Sequence, residues 1–534
     1  FERYTGSVNL APSFFEDHLN INFNAKGMIS NNRFADTGAI GAAIAFDPTQ
    51  PVMNGNSKYG GYFAWENAGE FISIATKNPV AMLQQKKEEA NSKNLVGNIQ
   101  VDYKFHFLPE LRANLNLGMD MATGTQDIYY PKESPLGYVD NGKTGYETID
   151  KYNHLLDFYL QYAKDFNEKH HFDIMAGYSW QHFHRSTENA YNNLNGDNPT
   201  SYIFKTESYL ISFFGRVNYD WKERYLFTFS LRHEGSSRFG ENHKWGNFPA
   251  VSVGWRISDE KFMKGLSWID DLKVRYDYGV TGNQEIGNYN SLATYRAFGW
   301  YQYNGNRFHV WGPSKNTNSE LRWEKGHNQN VGLDFSLFSH KVTGSFNYFH
   351  RKQSDLLGDY SVPVPPNLFS TIYTNVGTLR NTGFELDVTV NAVRTKDFTY
   401  SFTLVGATNN NKFVSFSNDI YKGQKYYSTC SMANPNNPGY LQRIEEGERI
   451  GNYFTYRYAG VDKKGDWLIY DKKGNVIPVA QGTEEDKSVT GNGLPKFTGS
   501  MTHNFTYKNF DLSVAFRGAA GFDIFNVQIG RAHV

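Results

Sequence analysis

Residues 213–258 read FFGRVNYDWKERYLFTFSLRHEGSSRFGENHKWGNFPAVSVGWRIS, and their alternation decides the fold. Phe213, Gly215, Val217 and Tyr219 alternate with Phe214, Arg216, Asn218 and Asp220. Past the tight turn Asp220-Trp221-Lys222-Glu223, Tyr225, Phe227, Phe229 and Leu231 alternate with Leu226, Thr228, Ser230 and Arg232. A polar loop from His233 to Asn247 follows, and Val251, Val253, Trp255 and Ile257 resume the pattern. A period of two gives a strand two different faces. Alternation kept up for about ten residues matches the length a tilted strand needs to cross a bilayer. One short turn, one long loop and aromatic residues near the strand ends are how an outer-membrane β-hairpin is written. A soluble sandwich strand also alternates, but rarely for so long.

The totals agree. The chain has 534 residues, with 36 Tyr and 41 Phe, and its mean hydropathy is −0.59. No apolar run approaches the roughly 20 residues of a spanning helix, which excludes a helical membrane protein. Basic and acidic residues balance at 54 each, so no nucleic-acid footprint is visible. The single Cys430 rules out an intramolecular disulfide and most cysteine metal sites. No separate domain stands out along the chain.

Outward from the opening stretch the same rhythm repeats. Leu19, Ile21 and Phe23 alternate in a strand read from His18 to Gly27, preceded by another from Arg3 to Leu10. Met28 to Asn94 reads as a long excursion. Leu95 to Phe107 and Leu111 to Met119 form a hairpin about a turn at Pro109-Glu110. Later hairpins turn at Asn167-Glu168-Lys169, Ser339-His340-Lys341, Thr395-Lys396-Asp397 and Lys508-Asn509. Counting the alternating runs gives about sixteen strands. Short and long connections alternate, as when turns face the periplasm and loops face outside. The longest insertion, Thr408 to Lys496, holds Asp462-Lys463-Lys464-Gly465-Asp466 and Asp471-Lys472-Lys473-Gly474-Asn475. Both lack the alternating oxygen ligands of a calcium loop and read instead as glycine-containing hairpin turns beside Trp467-Leu468-Ile469-Tyr470.

Several segments, in order along nearly the whole chain, resemble the SusC/RagA-type TonB-dependent transporters of Gram-negative outer membranes. They include Asn32-Arg33-Phe34-Ala35-Asp36, Arg232-His233-Glu234-Gly235-Ser236-Ser237-Arg238-Phe239-Gly240 and Gly279-Val280-Thr281-Gly282-Asn283-Gln284. Leu321-Arg322-Trp323-Glu324-Lys325, Asn375-Val376-Gly377 and Asn381-Thr382-Gly383-Phe384-Glu385 continue the series. The resemblance implies an all-β transmembrane antiparallel barrel of about 22 strands around a plugged lumen, of which this chain supplies about sixteen. It implies TonB-dependent import of oligosaccharides or oligopeptides with a SusD-like lipoprotein lid, outer-membrane lipids around the wall, and an outer-membrane location. TonB would engage an N-terminal region missing here. The plug, the TonB box, and the first and last strands of the family pattern are likewise not found, so residues 1–528 are expected to form an open barrel wall. The last six residues, 529–534, are what a short-read sequencing adapter encodes in frame, and are expected not to belong to the fold.

Candidate contacts to cargo lie in the loop after Gly282: Trp300, Tyr301, Tyr303, Arg307 and Trp311. Aromatic faces stack on sugar rings, and Asn304, Asn306 and Arg307 offer hydrogen bonds to hydroxyls. The plainer reading, rings that pack the loop or join the interfacial girdle, stands ahead of it. Arg232, His233, Glu234, Arg238 and Phe239 are expected to order the loop mouth by ion pairing rather than to bind ligand. Trp180, Trp221 and Trp255 read as interfacial anchors at strand ends. His170-His171 reads as a turn, and His182 and His184 as a solvated strand end that lacks a third metal ligand. No nucleophile elbow, phosphate loop or HExxH appears, so neither an enzyme, a cofactor nor a metal is expected. Two rival classes remain: a passive porin or adhesin barrel, and a secreted soluble all-β carbohydrate-binding protein.

Overall fold

The computed structural model describes residues 1–196, 198–418, 421–431 and 439–526; the terminal segment 529–534 lies outside them. The chain divides into two compact units, residues 1–162 with 176–213, and residues 163–175 with 214–534. In the first unit Glu2–Leu10, Leu19–Arg33, Lys87–Phe105, Leu108–Tyr130 and Lys143–Phe166 pair antiparallel in chain order. In the second, nine strands do the same, from Tyr225–Ser236 and Trp245–Arg256 to Phe497–Tyr507 and Phe510–Ala520. Lys143–Phe166, whose last four residues fall in the second unit, and likewise His170–Asn192 and Thr200–Trp221, divide their residues between the units. These long strands number sixteen, as the alternation predicts. Among the described residues no helix is long and apolar enough to cross a membrane.

Register turns the alternation into two chemically distinct faces. In the second unit Phe227, Val253, Tyr276, Val331, Tyr348 and Phe384 are successive cross-strand partners. All six are exposed on one face. The opposite face is polar: Arg275 pairs with Asp277 at 3.2 Å and Asp334 at 3.3 Å, and Lys273 reaches Asp334 at 3.1 Å. Gly332 makes room for this cluster, since a Cβ there would lie 2.7 Å from the Arg275 guanidinium carbon. The first unit repeats the plan. Phe23, Ile99, Leu117 and Leu156 line the apolar face, while Asn24, Asn98 and Asn116 hydrogen-bond in a ladder behind them. Asp102 is held by Arg112 at 2.5 Å and by Asn114 at 3.1 Å. An apolar exterior over a hydrogen-bonded polar interior is what a barrel wall in lipid requires.

Several strands outrun the bilayer. Lys87–Phe105 has 19 residues and Lys143–Phe166 has 24, about twice a crossing length. The excursion read from Met28 therefore starts only after Arg33 and ends at Lys87. Pro109 lies inside Leu108–Tyr130, next to a register shift at Lys104 and Phe105, and the turn is His106-Phe107. A proline without an N–H is tolerated at such an irregularity. His170 opens a strand instead of forming a turn, and His182 and His184 lie within it, with His182 Nε2 2.8 Å from Glu207 Oε1. Trp221 and Trp255 do stand at strand ends. Trp180 is mid-strand, one crossing length from the turn, because His170–Asn192 continues beyond it.

The long connections have structure of their own. Residues 34–86 hold helices Gly38–Ala45 and Pro79–Gln85, the second capped by Asn78, which accepts from Val80 N at 3.0 Å and Ala81 N at 3.3 Å. Above Thr408 a small sheet includes Asn452–Val461, Trp467–Tyr470 and Val476–Pro478. Its turns are the two aspartate segments. The Asp462 carboxylate accepts from Lys464 N and Asp466 N, and Asp471 from Lys473 N and Asn475 N, all within 2.9 Å. Both are hairpin turns closed by Gly465 and Gly474 at positive φ.

Candidate functional site

At the loop end of the second unit the connections share one packed base. Phe239 is 1 % exposed and Leu321 is fully buried; Trp323 lies 5.0 Å from the Phe239 ring and 5.1 Å from Phe248. The Trp323 indole donates to Lys244 O at 2.8 Å, satisfying its one polar atom. Gly240 donates its amide to Leu321 O at 2.9 Å, and any side chain on it would collide with the Ser319 carbonyl. Asn375 ties in a third connection: it accepts from Arg322 N at 2.9 Å and donates to Arg322 O at 2.7 Å and Asp355 O at 3.0 Å. Arg322 completes the knot by pairing with Asp355 at 2.7 Å.

Of the five residues expected at the loop mouth, Phe239 is part of this base and the other four make contacts of their own. Arg232 pairs with Glu234 at 2.9 Å. His233 stacks on Trp245 at 4.6 Å and hydrogen-bonds Asn247 at 2.7 Å. Arg238 donates to Asn288 Oδ1 at 2.9 Å and Gln284 O at 3.1 Å, reaching across to the next long connection. Leu321, Trp323 and Asn375 lie in segments that carry the family resemblance, but neither they nor Phe248 were given a role at the loop base from sequence. Their partners lie tens of residues away and leave no local mark, except for glycines beside aromatics such as Gly240, Gly246 and Gly282.

Above the base rises a hairpin, Tyr295–Tyr303 paired with Asn306–Pro313. Its turn is Asn304-Gly305, both at positive φ, the residue pair a two-residue hairpin turn favours. This dipeptide between alternating aromatics is the signal that would have revealed the hairpin. Register places Trp300 opposite His309 and Gln302 opposite Arg307, with Trp311 on that same face. Tyr301 and Phe308 share the other face with Tyr303. The five candidate contacts are thus divided between two faces: Trp300, Arg307 and Trp311 on one, Tyr301 and Tyr303 on the other. Trp300 and Trp311 are 62 % and 65 % exposed, and the Trp300 and His309 rings lie 3.6 Å apart. At the hairpin's root Ser314 N donates to Thr294 O at 2.8 Å. Lys315 donates to Tyr289 O at 2.8 Å and to Asn290 at 3.0 Å, and its burial lowers the affinity of the ammonium for its proton. Chemically the hairpin offers flat rings and two guanidinium groups, Arg307 on the face of Trp300 and Trp311, and Arg296 over the Phe298 ring at 4.7 Å. Among the described residues no group of three or more His, Cys, Asp or Glu is arranged to hold a metal ion.

Comparison with known proteins gives this architecture its family. Residues 29–529 match the family described as TonB dependent receptor-like, beta-barrel. The TonB-dependent receptor SusC of Bacteroides thetaiotaomicron is 36 % identical over 97 % of this chain and 54 % of its own length. The TonB-dependent receptor P39 of Formosa agariphila is 30 % identical over 84 % of this chain and 47 % of its own. The chain spans about half the length of these relatives. Among solved structures, that of the RagAB peptide importer in its closed-closed state matches with a TM-score of 0.77. It is 22 % identical, and the match covers 97 % of this chain and 58 % of that one. The paired strands, two-faced wall and short-turn, long-loop asymmetry are those of that fold. The chain belongs to the β-barrel region of the TonB-dependent receptors, proteins of the Gram-negative outer membrane.

Proposed function

We propose that this chain is the wall and loop crown of an active importer that takes up oligosaccharides across the outer membrane. TonB supplies the energy through an N-terminal region outside this chain, and a SusD-like lipoprotein closes over the loops. The 36 % identity with the TonB-dependent receptor SusC across 97 % of the chain is the observation that carries the importer reading. The exposed Trp300, Arg307 and Trp311 face supports it, because exposed indoles that share a face with a guanidinium suit a sugar ring and its hydroxyls. Tyr301 and Tyr303, on the opposite face, are a second contact row. Arg232, His233, Glu234, Arg238 and Phe239 act by holding the crown in place.

The test is uptake by cells that carry the complete receptor gene and its neighbours. Size-fractionated oligosaccharides and oligopeptides are supplied with and without collapse of the proton gradient. Gradient-dependent oligosaccharide uptake supports the reading. Gradient-dependent peptide uptake alone moves the cargo to oligopeptides. Uptake that persists after collapse of the gradient sinks active transport and leaves a passive porin.

A further inference from the structure

The bilayer-facing wall of the first unit carries a groove of about 790 Å³. Its floor is Gly6 and Gly27, cross-strand partners on Glu2–Leu10 and Leu19–Arg33. The fold itself does not require either glycine: neither has a left-handed backbone, and a Cβ on either would meet nothing within 4 Å. Glycine weakens a strand interior and marks a bulge, a tight bend or a close approach by a ligand or another backbone; the pairing of Gly6 and Gly27 runs without a register shift, which favours the close approach. Tyr4, Leu95, Met121 and Tyr152 stand beside this floor and make it a trough.

Lys93 stands at the rim, directly across from Ile29. It shares the outward face with Leu95 and Ile99, two and six residues along the same strand. Among the described residues it has no ion pair and no side-chain hydrogen bond. Counted from Leu19 at the short-turn end, Ile29 is the eleventh residue, one bilayer crossing away. The ammonium therefore stands at the level of the outer headgroups, with the apolar trough beneath it. An uncompensated cation above a hydrocarbon-sized groove, on a wall already in contact with lipid, selects an amphiphile with an anionic head. We infer that the groove holds an acyl chain of a phosphorylated glycolipid of the outer leaflet, with its phosphate on Lys93.

The receptor is purified from outer membranes, stripped of lipid in detergent, and titrated with lipid A, dephosphorylated lipid A and inorganic phosphate. Native mass spectrometry reads what is retained. Wild type should hold lipid A about five-fold more tightly than its dephosphorylated form, and Lys93→Gln should erase that difference. Gly6→Leu and Gly27→Leu fill the trough from two different strands and should release both lipids. Heat-modifiable gel mobility reports that each variant has folded. Retention unchanged in both filling variants overturns the groove. Equal affinity of wild type for the two lipids overturns the phosphate contact, and phosphate binding as tightly as lipid A removes the acyl chain from the argument.

Discussion

Truncating Phe239 to alanine tests whether the loop base is one cooperative block. The ring is 1 % exposed and packs 5.0 Å from Trp323. Phe→Ala in a closed core costs about 3–5 kcal/mol. The upper half of that range applies here, because the surroundings cannot collapse into the void. Gly240, the next residue, already lies against the Ser319 carbonyl and is tied to Leu321 O at 2.9 Å. A loss of about 4 kcal/mol raises the locally open population about a thousandfold. Hydrogen exchange followed by mass spectrometry should show peptides containing Gly240 and Arg322 exchanging faster by about that factor. Peptides from Tyr225–Leu231 and Val251–Trp255 should keep their wild-type rates, since their ladders do not depend on the ring. Wild-type exchange at Gly240 and Arg322 would refute the shared base. Acceleration spreading equally into the strands would refute its separateness from the wall.

Three further expectations test other parts. Trp300→Ala and Trp311→Ala should each weaken oligosaccharide binding by about 1 kcal/mol or more, and Tyr301→Ala by less, since it lies on the other face; calorimetry on the complete receptor reads this. Gly332→Ala should push the Arg275 guanidinium off Asp334 and destabilise the wall by about 1–3 kcal/mol, whereas Gly27→Ala, with open space above it, should be nearly silent in the same thermal melt. The third concerns pH. Asn475 and backbone amides hold the Asp471 carboxyl below its ordinary value of 3.8, and Thr483 does the same for Asp486. A lowered folded-state value means the stabilisation is present above 3.8 and disappears as pH falls through the folded values. Proteolysis between 452 and 492 should therefore rise on acidification from pH 5 to below about 3, before the barrel strands become susceptible.

Sequence legibility follows the bilayer. Where one face meets lipid and the other water, as at Phe227 to Leu231 or Leu95 to Val101, alternation is forced and the strand can be read. Lys87 to Asn94 belong to the same strand as Leu95 but lie at or beyond the headgroups, so nothing compels a period of two and they read as loop. Helix Gly38–Ala45 was hidden inside the excursion for the opposite reason: GAIGAAIA is apolar on all sides and shows no helical period. At the crown, Arg232 and Phe239 were recognised through their motif. The contacts that join the crown, such as Phe239 to Trp323, Arg238 to Asn288 and Arg322 to Asn375, are ones that no window of sequence contains. The aromatic cluster was legible as composition, whereas its division into two faces depended on reading Asn304-Gly305 as a turn.

The narrow root of the Tyr295–Tyr303 hairpin has a consequence for how such receptors diversify. Its stem closes at Thr294 and Ser314, where one backbone bond of 2.8 Å joins the two chains. The buried residues of the base, Phe239, Leu321 and Trp323, all lie outside the hairpin. Lengthening such a segment costs only about 0.6 kcal/mol per doubling, because closure entropy grows slowly. A gene can therefore exchange the codons between these two points as a cassette, altering what the crown meets while inheriting the wall intact. Drift would be fast at the tip and slow at the root, and new diets could be sampled without each trial risking the fold.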